Sequence, residues 1–324
     1  MTADMVSPSG KWISRKIFNQ SKFDGVAMRV FVTGATGFVG SAVVNELLSA
    51  GHEVLGLVRS DEAAERLAKT GVSIFRGDVE DLQSLKSGAA SCDGVIHTAF
   101  NHDFSKFAEN CEDDRRAIEA MGSVLAGSNR PIVVTSGIGL LRADRPVVET
   151  DKVGEHSPRK ASEDAVAAIV AKGVNASVVR LPPSVHGKGD QGFVPILINM
   201  ARQHGYAACI NDGSNCWAAV HRFDAACAFR LALERAEPNA VYHAVDEGAL
   251  AFGDIAATIA SGLGIAKKSL TTEEAHGYFN WFSHFAAIDC PASSDITREK
   301  LGWVPSQIGL FDDMKTGGYF DPVP

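Results

Sequence analysis

The octapeptide TGATGFVG, Thr33 to Gly40, carries the clearest chemistry in the chain. It follows the strand-like run RVFVT and opens an amphipathic segment, FVGSAVVNELLSAG. In that context Gly34 permits a tight turn, Gly37 lets the backbone approach a pyrophosphate, and Gly40 lets a helix pack against a strand. Thr36, Phe38 and Val39 lie between these glycines, at a helix N-terminus whose free N–H groups and dipole attract phosphate. The chemistry implied is the binding of a dinucleotide.

Which dinucleotide is read at the end of the second strand. Binders of NAD usually place a carboxylate there to hold the ribose hydroxyls. This chain has Val58, then Arg59 and Ser60. An uncharged residue followed by a guanidinium suits a 2′-phosphate, so NADP(H) is the expected coenzyme. Asp78 and Val79, in GDVED, close the third strand and are expected beside the adenine.

Those residues need a scaffold, and the pattern supplies one. From Met28 to about Pro182, short β-branched runs alternate with amphipathic segments. Strands are expected at 29–33, 53–58, 72–76, 94–99, 131–136 and 176–181. Helices are expected at 38–51, 62–71, around 112–127 and at 158–172, where Ser157 reads as an N-cap and Pro158 as the first helical residue. The strands are continuous apolar runs, as in a parallel sheet covered on both faces. The fold class is α/β, a doubly wound parallel sheet of Rossmann type.

Beyond Pro183 the rhythm changes. A helix is expected over 192–205, loop and short strand over 208–221, a helix around 224–235 and a returning strand at 241–245. Helices near 252–262, 271–286 and 294–301 complete the chain. The expected division is an extension at 1–27, a dinucleotide-binding part at 28–184 with 224–247, and a substrate-binding part at 185–223 with 248–324.

Composition narrows the function further. The chain has 324 residues and a formal charge of −8, which gives a nucleic acid or an anionic membrane no electrostatic purchase. No apolar run approaches the length of a membrane span. The six cysteines show no metal-binding spacing, and the expectation is a reduced, cytoplasmic protein without a structural metal. Nothing in the sequence sets the oligomeric state, a homodimer included.

In order, TGATGFVG, GDVED, VIHTAF, VVTSG, VRLPPSVHG and VHRFDAA resemble the landmarks of the extended or atypical short-chain dehydrogenases/reductases, in the NAD(P)-dependent epimerase/dehydratase group. The tail SSDITREKLGWVP is similar to that family's ending, so the resemblance spans about Met28 to Phe311. It implies that Thr98, Ala99 and Phe100 line the coenzyme, and that Pro182, Pro183 and Ser184 sit beside the nicotinamide amide. It also implies that the Ser136 hydroxyl bonds the substrate oxygen, with Thr135 as understudy.

One departure is plain. The family's chemistry normally rests on a Tyr-x-x-x-Lys pair, in which the tyrosine moves the carbonyl proton and the lysine lowers its pKa. The four tyrosines here, 206, 242, 278 and 319, are followed four residues later by Ile210, Asp246, Phe282 and Val323. In the stretch EHSPRKASED, one register aligns Lys160 with the family's lysine and leaves His156 in the tyrosine's place. A second aligns Arg159 and Glu155, with Glu163 as the helix acid. Both registers stand on sequence alone.

His102 in FNHDF and His186 after the PPS turn are substrate-side candidates, and Trp217 dominates the expected pocket strand. Between Gly192 and Val220 only Arg202 is basic, too few cations for a second pyrophosphate. The aromatic run GYFNWFSHF, 277–285, has the composition to wall or lid an apolar pocket, or to form the buried face of a helix. The expected activity is NADP(H)-dependent reduction of a small, uncharged ketone or aldehyde, or the reverse oxidation, with a non-standard proton donor. A non-catalytic coenzyme sensor and an epimerase or dehydratase are the competing readings.

Overall fold

The computed structural model describes residues 25–154 and 157–321. Most of the 1–27 extension, Glu155 and His156 therefore lie outside the described residues.

The chain alternates as the apolar pattern requires: β1 (Arg29–Thr33), α1 (Phe38–Ser49), β2 (Glu53–Val58), α2 (Asp61–Ala68), β3 (Ser73–Arg76), α3 (Leu82–Ala90), β4 (Gly94–His97) and α4 (Phe107–Leu125). It continues through β5 (Pro131–Gly137), α5 (Lys160–Val170) and β6 (Asn175–Leu181). Together with the later β10 (Val241–His243), these strands form one parallel sheet in the order β10-β6-β5-β4-β1-β2-β3. The order reverses between β1 and β4, and a doubly wound sheet opens its ligand crevice at that point.

Alternation along β1 divides the core. Val30 and Val32 pack with α1, α2 and the later helix α7 (Arg222–Arg235), whereas Phe31 packs with α3, α4 and α5. The inner strands β1, β2, β4, β5 and β6 are thus buried on both faces, which is why they read as continuous hydrophobic runs, whereas the edge strand β3 is only partly covered. The contact between α1 and α7 is also pinned by Arg230, whose guanidinium reaches Glu46 at 2.7 Å and Glu234 at 2.8 Å.

The remaining elements gather beside this sheet. They are β7 (Ser184–His186), α6 (Phe193–His204), β8 (Tyr206–Ile210), β9 (Cys216–His221), β11 (Glu247–Ala251), α8 (Phe252–Leu263), β12 (Ala266–Leu270), α9 (Thr272–Phe279), α10 (Ser283–Ala286), α11 (Asp295–Leu301) and α12 (Leu310–Thr316). They form a three-stranded sheet, β11-β9-β7, a two-stranded one, β12-β8, and a separate core around Trp217, Phe252, Phe279 and Phe282. No described helix is long and apolar enough to cross a membrane.

Several elements depart from the sequence expectation. The helix expected at 158–172 runs from Lys160 to Val170, and Ser157 does not cap it. Instead the Ser157 carbonyl accepts from Lys160 N at 3.0 Å, a β-turn with Pro158 in its second position. The single helix expected over 271–286 breaks at Asn280, whose φ of +51° ends α9. Helices α3 and α12 and strands β7, β11 and β12 were not foreseen; β12, AKKSL, is exposed over most of its length and carries no apolar alternation.

The phosphate loop depends on close backbone packing. Gly34 has φ +69°, and a Cβ on Gly40 would lie 2.0 Å from the Gly34 carbonyl oxygen. A methyl group there can be accommodated only by moving α1 off β1. Gly40→Ala should therefore lower stability by about 1–3 kcal/mol, as overpacked sites do. An unchanged urea midpoint would refute this account of the loop.

Candidate active site

One open cleft of about 1530 Å³ crosses the C-terminal ends of the central strands. Its size exceeds the roughly 300–1,000 Å³ of a drug-sized pocket and suits a dinucleotide with a second ligand. At one end, Gly37 is the N-cap of α1 without any capping side chain, and the first turn holds no acid. The first N–H groups of α1, including those of Phe38 and Val39, are therefore left without intrahelical partners, the usual cradle for a phosphate. Gly34, Thr36, Gly37, Phe38 and Val39 all line this end.

The cleft continues past β2, where Arg59, Ser60, Asp78 and Val79 line it. Ser60 caps α2, its Oγ accepting from Ala63 N at 3.2 Å. Arg59 is 81% exposed, with the Asp78 carboxylate 3.8 Å away. Arg66 joins this corner from the last turn of α2, a residue that sequence reasoning missed. Its signal is the spacing Ser60, Ala63, Arg66, which sets all three on one helix face.

Thr98, Ala99 and Phe100 form the wall after β4, and the Thr98 hydroxyl donates to the Thr33 carbonyl at 2.7 Å. Behind them lies a buried network. Asp114 of α4 accepts from His97 Nε2 at 2.9 Å, from Ser162 Oγ at 2.6 Å and from Arg159 at 2.8 Å. Burial alone would raise the Asp114 pKa, but the Arg159 charge and the bonds from His97 and Ser162 outweigh it and hold it at about 2. Arg159 also bonds the Thr135 carbonyl at 3.3 Å and stacks 3.8 Å from the Phe100 ring centroid.

The structure thus separates the two cations of EHSPRKASED. Arg159 lines the cleft, while Lys160 reaches Asp164 on its own helix at 2.6 Å and is not among the cleft-lining residues. His156, like Glu155, is outside the described residues.

Ser136 lines the cleft at the end of β5, and its hydroxyl donates to Glu163 Oε1 at 2.7 Å. Arg180 of β6 binds both oxygens of the same carboxylate at 2.8 Å. Release of the Ser136 bond would therefore leave no orphaned acceptor on Glu163. Thr135 also lines the cleft, but its hydroxyl donates to the His97 carbonyl at 2.8 Å.

On the substrate side the structure brings some candidates together and not others. Pro182, Pro183 and His102 line the cleft. His102 has its surface in solvent, yet the protein packed around it, and secondarily the Arg159 charge, lower its pKa. Ser184, His186 and Trp217 are buried in β7 and β9 and do not line the cleft. His186 donates to Asp313 at 2.9 Å, and Trp217 packs against Phe252 and Phe193. Each serves the smaller core instead. The cleft wall includes His284 and Phe285, from the aromatic run 277–285 offered as a pocket wall, together with Phe104, Arg142, Asp190 and Phe193, which sequence reasoning did not single out as site residues.

Residues 34–194 match the family described as NAD(P)H-binding. An uncharacterised protein of Schizosaccharomyces pombe is 47% identical over 90% of this chain and 100% of its own length. The 2-alkyl-3-oxoalkanoate reductase of Stenotrophomonas maltophilia is 31% identical over 66% of this chain and 67% of its own. The chain belongs to the NAD(P)-binding extended short-chain dehydrogenases/reductases. Within that family of oxidoreductases, epimerases and dehydratases its fold is the standard one. The dTDP-glucose 4,6-dehydratase of Streptomyces venezuelae, solved with NAD, superposes with a TM-score of 0.73 over 90% of this chain and 97% of that one, at 18% identity.

Asp190 gives this dehydrogenase/reductase cleft a titration of its own. Burial raises its pKa to about 6, against the pull of the Gly192 N–H and the Tyr319 hydroxyl. A carboxyl raised above its unfolded value contributes stability that is complete below that value and is lost as pH rises through the folded pKa. Asp190→Asn removes the dependence. The Tm of the variant relative to the natural protein should be higher at about pH 7.5 than at about pH 4.5, by roughly 2–8 °C. An equal difference at both pH values would clear Asp190 of this role.

Proposed function

We propose that the protein is an NADP(H)-dependent oxidoreductase that reduces the carbonyl of a small, uncharged ketone or aldehyde, or oxidises the corresponding alcohol. The observation that carries this reading is a single cleft holding the glycine-rich loop, the corner formed by Arg59, Ser60 and Arg66, and Ser136. The residues fit the coenzyme. The α1 N-terminus offers unpaired N–H groups to a pyrophosphate, and glycine at 34 and 40 keeps that approach free of side chains. Arg59 and Arg66 supply charge for a 2′-phosphate where an NAD binder would have a carboxylate.

When bound, the nicotinamide supplies or accepts the hydride. The chain's own residues orient the substrate and stabilise its oxygen. Ser136 turns its Oγ–H from Glu163 to the carbonyl oxygen, and Arg180 keeps Glu163 fully paired while it does so. Arg159, fixed by Asp114 and Phe100, holds a positive charge beside the developing alkoxide and takes the place of the family's lysine. This supports the register that sets Glu155, rather than His156, in the tyrosine's place. His102, its pKa lowered, is neutral at neutral pH and serves as a hydrogen-bonding wall rather than an acid.

The coenzyme assignment predicts tighter binding of NADPH than NADH. Arg59→Ala combined with Arg66→Ala should weaken NADPH by about tenfold or more and leave NADH nearly unchanged. Equal affinity of the unaltered protein for both coenzymes would defeat it.

Turnover is tested by NADPH oxidation against a panel of aldehydes and ketones. Ser136→Ala should lower kcat by about 10²–10³ with coenzyme affinity intact. Full activity in that variant would remove Ser136 from the mechanism. Glu155→Ala and His156→Ala, compared at neutral pH, discriminate the two registers by which of them loses turnover. Tight coenzyme binding without turnover, joined by a protein partner whose binding responds to NADP(H), would instead indicate a sensor.

A further inference from the structure

The substrate end of the cleft is walled by aromatic rings from three separate segments. Phe104 comes from the loop after β4, Phe193 opens α6, and Trp281 and Phe285 come from the turn between α9 and α10 and from α10 itself. Phe104 is the centre of the group. Its ring stacks on Trp281 with centroids 5.5 Å apart and 25° between planes, and meets Phe285 edge-on at 5.1 Å. Phe193 closes the far side, 4.9 Å from Phe285. Phe104, Phe193 and Phe285 line the cleft directly, and Trp281, 50% exposed, covers Phe104 from outside.

The two guanidiniums near this wall are already bonded within the protein. Arg142 donates to the carbonyls of Gly139 at 2.7 Å and Leu141 at 2.6 Å. Arg159 is paired with Asp114, and its face is covered by Phe100. The polar groups that remain at this end among the cleft-lining residues include His102, whose pKa is lowered by burial, His284, and the carboxyl of Asp190, which repels an anionic group when ionised. A flexible aliphatic chain would fill such a wall poorly, because it loses rotamer freedom on binding and cannot meet ring edges with a ring face. A flat ring satisfies both conditions. The stack between Phe104 and Trp281 joins two distant parts of the chain across the wall, so a ligand lying against Phe104 is also held through Trp281.

We propose that this wall selects an uncharged aromatic carbonyl compound, its ring held against Phe104, Phe193 and Phe285 with Trp281 backing Phe104, and its carbonyl directed along the cleft toward Ser136. The inference rests on the carbonyl-reductase reading and supplies the class of substrate that reading leaves open. Each ring face in contact should favour an aromatic ligand by roughly two- to tenfold over an aliphatic one of equal size.

The test uses the full chain saturated with NADP⁺, with dissociation constants read by ligand-observed NMR titration. The probes are acetophenone, 2-octanone, which has the same number of carbons, and UDP-glucose. Acetophenone should bind at least about tenfold more tightly than 2-octanone, with UDP-glucose weakest. Phe104→Leu, which keeps an apolar side chain and spares the fold, should reduce the preference for acetophenone to about twofold or less while leaving NADPH affinity unchanged. Trp281→Phe, which keeps a stacking ring, should retain most of the preference. Equal binding of the two ketones, tighter binding of UDP-glucose, no binding of any probe, or a preference that survives Phe104→Leu would each overturn the proposal. Selective binding without turnover would leave the aromatic wall standing and count against the reductase reading, whereas turnover without selectivity would do the reverse.

Discussion

The geometry of the cleft depends on one buried carboxylate. Asp114 sits inside α4 and gathers β4 through His97 and α5 through Ser162 and Arg159. A charge in that position is tolerable because both carboxylate oxygens meet donors and one of those donors is a guanidinium. The arrangement fixes more than stability. By holding Arg159 at the mouth of α5 it brings a permanent cation to the cleft, stacked on Phe100 and bonded near the end of strand β5 through the Thr135 carbonyl. The walls after β4 and β5 are thus set relative to each other by a single side chain.

Much of this was legible in the sequence, and unevenly so. The strands of the large sheet could be read because burial on both faces demands unbroken apolar runs. The glycine loop could be read because its spacing has a steric cause, visible in the contact between Gly40 and Gly34. Helix α3, LQSLKSGAA, escaped because only Leu85, Gly88 and Ala89 are buried and no long stripe marks it. Strand β12 escaped because it is a polar edge.

The site was legible where function is carried by backbone and obscure where it is carried by side chains from distant segments. Nothing local distinguishes Asp114 from the neighbouring acids of CEDDRR, since its role arises from His97 and Arg159 across the sheet. His186 and Trp217 were plausible pocket residues by type, but their strands belong to the smaller sheet and turn them into its core. The cleft wall is built instead by Phe104, Phe193 and Phe285, which lie far apart in sequence and converge only through the packing of α6 and α10 beside the loop after β4.

Arg180 carries a consequence of another kind. Besides Glu163 it contacts His243 at 3.2 Å, and His243 in turn donates from Nδ1 to the Ser293 carbonyl at 2.9 Å while its N–H bonds Thr297 at 2.7 Å. Burial lowers the His243 pKa to about 4, which keeps the ring neutral and able to accept from Arg180. A continuous chain of bonds therefore runs from the Ser136 hydroxyl through the sheet to the start of α11. The segment that follows the substrate-side helices is anchored to the same guanidinium that orients the floor of the cleft. Grafting a different tail onto this scaffold to change its ligand would retune Ser136 as well, so the two ends of the cleft cannot be redesigned independently.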